Sequence, residues 1–159
     1  MKSFKQFITE EKEKIIIPKV HMWAALLSGN DEQIEAALNS PNVTKEHIDW
    51  AMKHRNPYVV TIALQSPHHT KEHVDLGMKH RSSAVAIAAL ESPHHTKEHV
   101  DFAMRNRDTS VVIAAIHSPH ATKEQISDAI NKFSGTWLAN QAQRVLDRRN
   151  NDDEESQQP

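Results

Sequence analysis

A 26-residue repeat runs through most of this chain and limits the folds that it can adopt. A Ser-Pro pair opens each clear copy, at Ser40, Ser66, Ser92 and Ser118. A repeat of this length is one small structural unit that cannot bury its own apolar face, so neighbouring copies are expected to stack. A degenerate first copy, three close copies and a diverged last copy cover residues 14–39, 40–65, 66–91, 92–117 and 118–143.

Each repeat has the cap residues of two short helices. A threonine such as Thr44 precedes the first helix, which we expect to run for about ten residues, from Lys45 to Arg55. A second helix of about nine residues follows, for example from Tyr58 to Gln65. The predicted caps of the first helices are Thr44, Thr70, Thr96 and Thr122, and those of the second helices are Asn30, Asn56, Ser82, Asp108 and Ser134.

The second helix is apolar on almost every side, as the run from Val85 to Leu90 shows. Such a helix has to be buried over most of its surface, and stacking of the repeats achieves this. We therefore predict an all-α fold, an α-solenoid of about five two-helix repeats of 26 residues, with the second helices lining its interior.

The two ends of the chain differ from the repeats. Residues 137–149 have an apolar side and a polar side, and we expect them to form a capping helix that completes a solenoid domain over 14–149. The tail 150–159 has no apolar residue except its final proline and is predicted to be a disordered acidic segment. Residues 1–13 are predicted to be a flexible or targeting segment.

The repeat resembles those of the leucine-rich repeat variant group and, more loosely, HEAT-type repeats. The residues that carry the resemblance are the Ser-Pro pair, the Thr-x-Glu that follows it and the Val-x-x-Ala run of the second helix, over roughly residues 40–143. The chain departs from the pattern in carrying Met52, Met78 and Met104 where a leucine is usual. The resemblance implies a curved helical solenoid that binds a macromolecule.

The N-terminus resembles the capsid-targeting propeptide of internal head proteins of T-even-type phages. The matching residues are Met1-Lys2-Ser3-Phe4 and Phe7-Ile8-Thr9-Glu10. The resemblance implies cleavage after Glu10, a location inside the phage virion and then in the host cytoplasm, and a capsid scaffold or a host protein as partner. The alternative is an ordinary cytoplasmic protein whose N-terminal segment is frayed or packs as a helix on the first repeat.

Composition and motifs argue against several classes of function. The chain has no cysteine, three glycines and a formal net charge of −2, which leaves no thiolate chemistry and little material for phosphate-binding loops. It contains no G-x-S-x-G, P-loop or H-E-x-x-H motif, and no apolar run of membrane-spanning length. We expect a protein that is not an enzyme, holds no cofactor and does not enter a membrane.

Twelve histidines make a metal site worth considering. His69 and His73 have a spacing that can chelate on a helix, but His69 lies before the Thr70 cap, off the helix. Equivalent histidines of neighbouring repeats should lie about 10 Å apart, too far to share one ion. We therefore predict repeated turn histidines and no metal site.

One stripe of the first helices combines histidines with large apolar residues at spacings of three and four. A helical wheel places it opposite the Ile48/Met52 face, so it predicts either a partner-binding ridge or side chains that fill gaps between neighbouring helices. The residues of this ridge are His47, Trp50, His54, His73, Leu76, His80, His99 and Phe102.

Basic residues also recur at fixed positions of the repeat. In rows along one side they would suit a phosphate backbone, which supports a HEAT-like nucleic-acid-binding protein as an alternative function. Pairs such as Asp49–Lys53 are expected to neutralise them, which favours an ordinary solvated face. The basic residues are Lys45, Lys71, Lys97 and Lys123 in one row and Arg55, Arg81 and Arg107 in the other.

The sequence thus favours a non-enzymatic helical-repeat scaffold that binds a protein partner, carried in a phage head. Two alternatives stay open: a nucleic-acid-binding repeat protein, and a structural repeat protein that associates with itself through Trp50, Leu76 and Phe102.

Overall fold

The computed structural model describes residues 18–155, and throughout this range the fold is helical, with no β-strand. The described chain contains a 3-10 turn, Lys19–His21, and ten α-helices. The predicted all-α class is confirmed for this range. The N-terminal segment 1–13, its predicted cleavage site at Glu10 and the last residues, 156–159, lie outside the described residues.

The described helices fall into two compact units, and the boundary along the chain lies between His69 and Thr70. In the N-terminal unit, α1 contacts α2, α2 contacts α4, and α3 contacts α4. The second helices of two successive repeats therefore lie side by side. The helices are α1 (Met22–Leu26), α2 (Asp31–Leu38), α3 (Lys45–Ala51) and α4 (Pro57–Gln65).

The C-terminal unit contains the remaining helices. Here α6 packs on α8 and α8 on α10, while the first helices α5 and α7 contact each other. First helices thus lie beside first helices, and second helices beside second helices. The helices are α5 (Lys71–Met78), α6 (Ser83–Glu91), α7 (Lys97–Ala103), α8 (Thr109–His117), α9 (Lys123–Lys132) and α10 (Trp137–Glu155).

The core of each unit follows the predicted apolar faces. On α3, Ile48 and Ala51 are completely buried, and Met52 directly after the helix is nearly so. On α6, every residue from Val85 to Leu90 is buried except the partly exposed Ile87. The prediction that the second helices are buried on most sides is therefore confirmed.

The predicted threonine caps are confirmed, and so are the caps Asn30, Asn56 and Asp108 of the second helices. Ser82 stands at the predicted cap position, but its side chain makes no cap hydrogen bond. The prediction for Ser134 is wrong, because α10 begins at Trp137 and Thr136 directly precedes it. Helix α9 continues to Lys132, further than the other first helices, and Gly135 with a φ of 76° forms the displaced turn. Only glycine adopts that conformation without strain.

The first helices α3, α5 and α7 are shorter than predicted. Helix α3 ends at Ala51 instead of Arg55, because the N–H groups of Lys53 and His54 donate to carbonyls three residues earlier. Bonds of this kind tighten the chain into a turn and end the α-helix. The next helix can therefore start at Pro57, where a missing N–H has no consequence.

The last helix is longer than predicted. Helix α10 runs to Glu155, so the boundary expected between 149 and 150 lies inside a helix, and the prediction of disorder is wrong for Asn150 to Glu155. Contacts with the preceding repeat stabilise the C-terminal end of this helix. The Arg149 guanidinium donates to the Ser118 carbonyl at 2.6 Å, and Lys123 Nζ lies 2.5 Å from Asp153 Oδ2.

None of the helices between residues 18 and 155 combines the length and the apolar character that crossing a membrane would need.

Candidate functional site

The ridge histidines at the start of the first helices close the helix caps. The imidazole Nδ1 of His47, of His73 and of His99 accepts the backbone N–H of the threonine three residues earlier, each at 2.9 Å. This is a capping box in which histidine replaces the usual glutamate or glutamine. Because Nδ1 is the acceptor, the proton of the neutral ring lies on Nε2.

The other nitrogen of the cap histidine connects two repeats. His99 Nε2–H donates to Asp75 Oδ1 at 2.5 Å, a residue that lies 24 positions earlier on the neighbouring helix α5. Gln125 repeats the arrangement, since its Oε1 accepts the Thr122 N–H at 2.8 Å and its Nε2–H donates to Asp101. One side chain therefore caps its own helix and binds the preceding first helix.

In the first repeat an equivalent contact with the cap histidine is made by an aromatic ring instead of a carboxylate. Trp23 occupies the position that Asp49, Asp75 and Asp101 hold in later repeats. Its ring lies against the His47 imidazole with a centroid separation of 4.7 Å. The buried His47 thus caps α3 and packs on an indole, with no carboxylate at this position.

The second set of ridge histidines supports the turn between the helices. His54 Nδ1 accepts the Asn56 N–H at 3.2 Å, and His80 Nδ1 accepts the Ser82 N–H at 3.0 Å. In the next repeat Asn106 makes the same turn bond. These side chains are half-buried and bound to backbone, so they form turns instead of an open ridge.

The eight ridge residues therefore do not form one exposed surface, because His47, His73 and His99 are buried. Sequence reasoning missed their capping role, although the signal was present. Gln125 stands at the same position after Thr122, where Thr-x-x-Gln is the usual capping-box sequence. Aligning that repeat with the others identifies the histidines as its equivalents.

Two ridge residues of the C-terminal unit remain open to solvent. Leu76 on α5 is 53% exposed, and Phe102 at the equivalent position of α7 is 51% exposed. Helices α5 and α7 contact each other, so equivalent apolar side chains stand on adjacent helices. In the N-terminal unit, the Trp50 ring is half-buried and lies 5.2 Å from the His54 ring. Leu76 and Phe102 are called the apolar pair below.

A surface pocket of about 250 Å³ opens between the end of α7 and helix α9. Met104, Ala129 and Phe133 make it apolar, while carboxylates and basic groups stand at its sides. The charged residues are Asp101, Arg105, Asp128 and Lys132.

The predicted basic rows are largely neutralised within the repeats. Lys45, Lys71 and Lys97 lie within 3.0–3.3 Å of the aspartate four residues later, namely Asp49, Asp75 and Asp101. The structure thus pairs each aspartate with the preceding lysine, whereas the sequence predicted pairing with Lys53 and its equivalents. Lys53 lies beyond the end of α3, where helical spacing no longer applies. Arg55, Arg81 and Arg107 are exposed.

Other histidines bind the Ser-Pro turns. His95 Nδ1–H donates to the Ser92 carbonyl at 2.6 Å, and the Ser118 hydroxyl donates to His95 Nε2 at 2.7 Å. His95 thereby joins the turns of two successive repeats. Within residues 18–155, no three histidine, aspartate or glutamate side chains are arranged to hold a metal ion.

Stability is expected to depend on pH through His47. Burial lowers the pKa of His47 below its usual value of 6.5, against a smaller opposing effect of Glu46. The unfolded chain therefore takes up the proton first. The stabilising contribution is complete above pH 6.5 and is lost as the pH falls through the lowered pKa.

His47→Gln tests this dependence, because glutamine keeps the cap acceptor without titrating. We expect thermal unfolding at pH 8 to change by less than about 1 kcal/mol, and the loss of stability between pH 6.5 and 5 to be smaller than in the wild type. Parallel pH profiles for the two proteins would contradict the assignment.

Asp75 makes the stability depend on pH in a second, more acidic range. The hydrogen bond from His99 and then that from Lys71 hold the pKa of Asp75 below its usual value of 3.8. Its contribution is present above pH 3.8 and is lost as the pH falls through the lowered pKa, so it is separate from that of His47.

No family model, curated protein or solved structure matches the chain.

Proposed function

We propose that this chain is a non-enzymatic helical-repeat scaffold that binds a protein partner through the apolar pair. In this proposal the repeats form one stack of about five 26-residue units, closed by the C-terminal helix. The observation that supports a protein partner is the half-exposure of Leu76 and Phe102 at equivalent positions of two contacting helices. Large apolar side chains are typical of the centre of a protein interface, and polar or charged residues of its rim.

The neighbours of the apolar pair are charged but internally balanced. Asp75 precedes Leu76 and is paired with Lys71, and Asp101 precedes Phe102 and is paired with Lys97. These balanced charges around the apolar pair favour neither a polyanion nor a polycation as the partner. It suits a partner that supplies apolar side chains at the centre and polar groups at the rim.

Photo-crosslinking in cells tests the proposal directly. A photoreactive phenylalanine analogue at Phe102 is expected to give one discrete cross-linked protein, because an interface core excludes other molecules. The same analogue at Glu91, an exposed residue at the end of α6, is the matched control. Absence of a product at 102, or the same product from 91, would contradict the proposal.

A double substitution measures how much the apolar pair contributes. In the Leu76→Ser/Phe102→Ser variant we expect the cross-link from a photoreactive analogue at Lys79, an exposed residue of the same unit, to the same partner to fall at least about 30-fold. Two anchor side chains contribute about 2 kcal/mol or more. Both residues are half-exposed, so the melting temperature should change little. An unchanged cross-link would remove the pair from the interface.

The location in a phage head is part of the proposal and rests on the resemblance of residues 1–10. Mass spectrometry of purified virions is expected to detect the protein with Glu11 as its first residue. Absence from virions, or an intact Met1 there, would remove the packaging and cleavage steps without affecting the proposed binding surface.

The two alternatives have less support. The Lys45, Lys71 and Lys97 ammonium groups are bound to aspartates, so a phosphate backbone would have to displace these pairs. Titration of a DNA or RNA fragment at low and high salt decides this alternative. Light scattering decides whether the apolar pair instead joins two copies of the chain.

A further inference from the structure

The first repeat presents an apolar stripe where the later repeats present charges. Val20, Trp23 and Leu27 follow one another at spacings of three and four and are 83%, 43% and 67% exposed. The Leu27 N–H donates to the Trp23 carbonyl at 2.9 Å, so helical geometry continues past α1 and places the two side chains next to each other. Met22 and Leu26 point into the core. The three exposed residues are called the apolar stripe.

The apolar stripe differs from the residues at the equivalent positions of the later repeats. At its three positions the following repeat has Glu46, Asp49 and Lys53. The next two repeats likewise have glutamate, aspartate and a basic residue, and the glutamates and basic residues are exposed.

In the later repeats the following repeat binds only the central position of this face, as His99 binds Asp75, and in the first repeat His47 packs on Trp23 in the same way. The outer positions stay exposed. The apolar residues Val20 and Leu27 at these outer positions therefore indicate that another segment covers them in the first repeat.

We propose that residues 1–17 of the same chain bind the apolar stripe in the uncleaved protein, before the proposed removal of residues 1–10. This segment is joined to the chain at Pro18, two residues before Val20, so its effective concentration at the stripe is very high. It has apolar residues at the spacing of one helix face, Phe4, Phe7 and Ile8, and three consecutive isoleucines at 15–17. An amphipathic segment that lies on an i, i+3, i+7 stripe is a common mode of helix docking.

Charge disfavours a second copy of the stripe as the occupant. Lys19 and His21 border the stripe, so two copies facing each other would bring like charges together. Residues 1–17 have Glu10, Glu11 and Glu13 among four lysines, so this segment can place a carboxylate near these basic groups.

Hydrogen exchange in the full chain tests this binding. In the wild type, amides of residues 4–10 are expected to exchange at least about 10-fold more slowly than in an unstructured peptide, because they are bound. The Phe4→Ser/Phe7→Ser/Ile8→Ser variant and the Val20→Glu/Leu27→Lys variant should both restore unstructured rates. The second variant installs the charges of the later repeats at exposed positions, so its melting temperature checks that it folds.

Trp137→Lys is the matched control, since it places a charge on an exposed apolar residue of a helix in the other unit, outside the apolar pair. It should leave the exchange of residues 4–10 unchanged. Unstructured exchange rates in the wild type, or slow exchange that survives Val20→Glu/Leu27→Lys, would overturn the proposal. Slow exchange that depends on concentration, with dimers in light scattering, would also overturn it and identify a second copy as the occupant.

Discussion

His99→Ala is expected to destabilise the chain by about 3 kcal/mol, while His99→Gln is expected to change its stability by less than about 1 kcal/mol. Alanine removes the acceptor of the Thr96 N–H and the donor to Asp75, and it leaves a gap where a buried ring stood. Losing a cap contributes about 1 kcal/mol, and an unpaired buried polar group contributes about 1–3 kcal/mol.

Glutamine is the informative control because the chain already uses it in this role. Gln125 accepts the N–H of its cap threonine and donates to Asp101 in the preceding repeat. Urea unfolding at pH 7.5 measures both variants against the wild type. Equal losses for alanine and glutamine would mean that ring packing, and not the cap and the bridge, accounts for the contribution of His99.

Ala89→Leu is expected to have the other large effect, a destabilisation of about 3 kcal/mol. Ala89 lies on α6, is completely buried and belongs to a helix that packs against α8. A leucine there adds three carbon atoms at a completely buried position, and in a close-packed interior either the side chain or the helix has to move.

Ala84→Leu on the same helix is the control. Ala84 is exposed, so the same change of side chain should shift the free energy of unfolding by less than about 0.5 kcal/mol. Thermal and urea unfolding compare the two variants. A small effect at both positions would show that the second helices are not in close contact at Ala89.

The secondary structure could be predicted largely from local sequence. Thr44 and its equivalents start the first helices and Asn56 starts α4, because caps act on backbone groups two or three residues away. The apolar second helices were predicted to be buried, and they are. The errors, at Ser134 and at the helix ends, arose where turn geometry and distant contacts such as Arg149 to Ser118 move a boundary.

The candidate site was predicted less well. The ridge combined side chains that have different surroundings: His99 faces Asp75 across two helices, whereas Phe102 on the same helix faces solvent. A helical wheel gives the direction of a side chain around its own axis but not the position of the neighbouring helix. Burial of the cap histidines therefore could not be read from the spacing alone.

The sequence by itself determined the repeat, the helical class and the positions of most caps, since each depends on interactions within a few residues. Only the tertiary structure decided which polar side chains join repeats and which apolar ones remain exposed. His99 and Asp75 are 24 residues apart along the chain and 2.5 Å apart in space. Contacts of that kind depend on how helices pack, and packing is a property of the assembled chain.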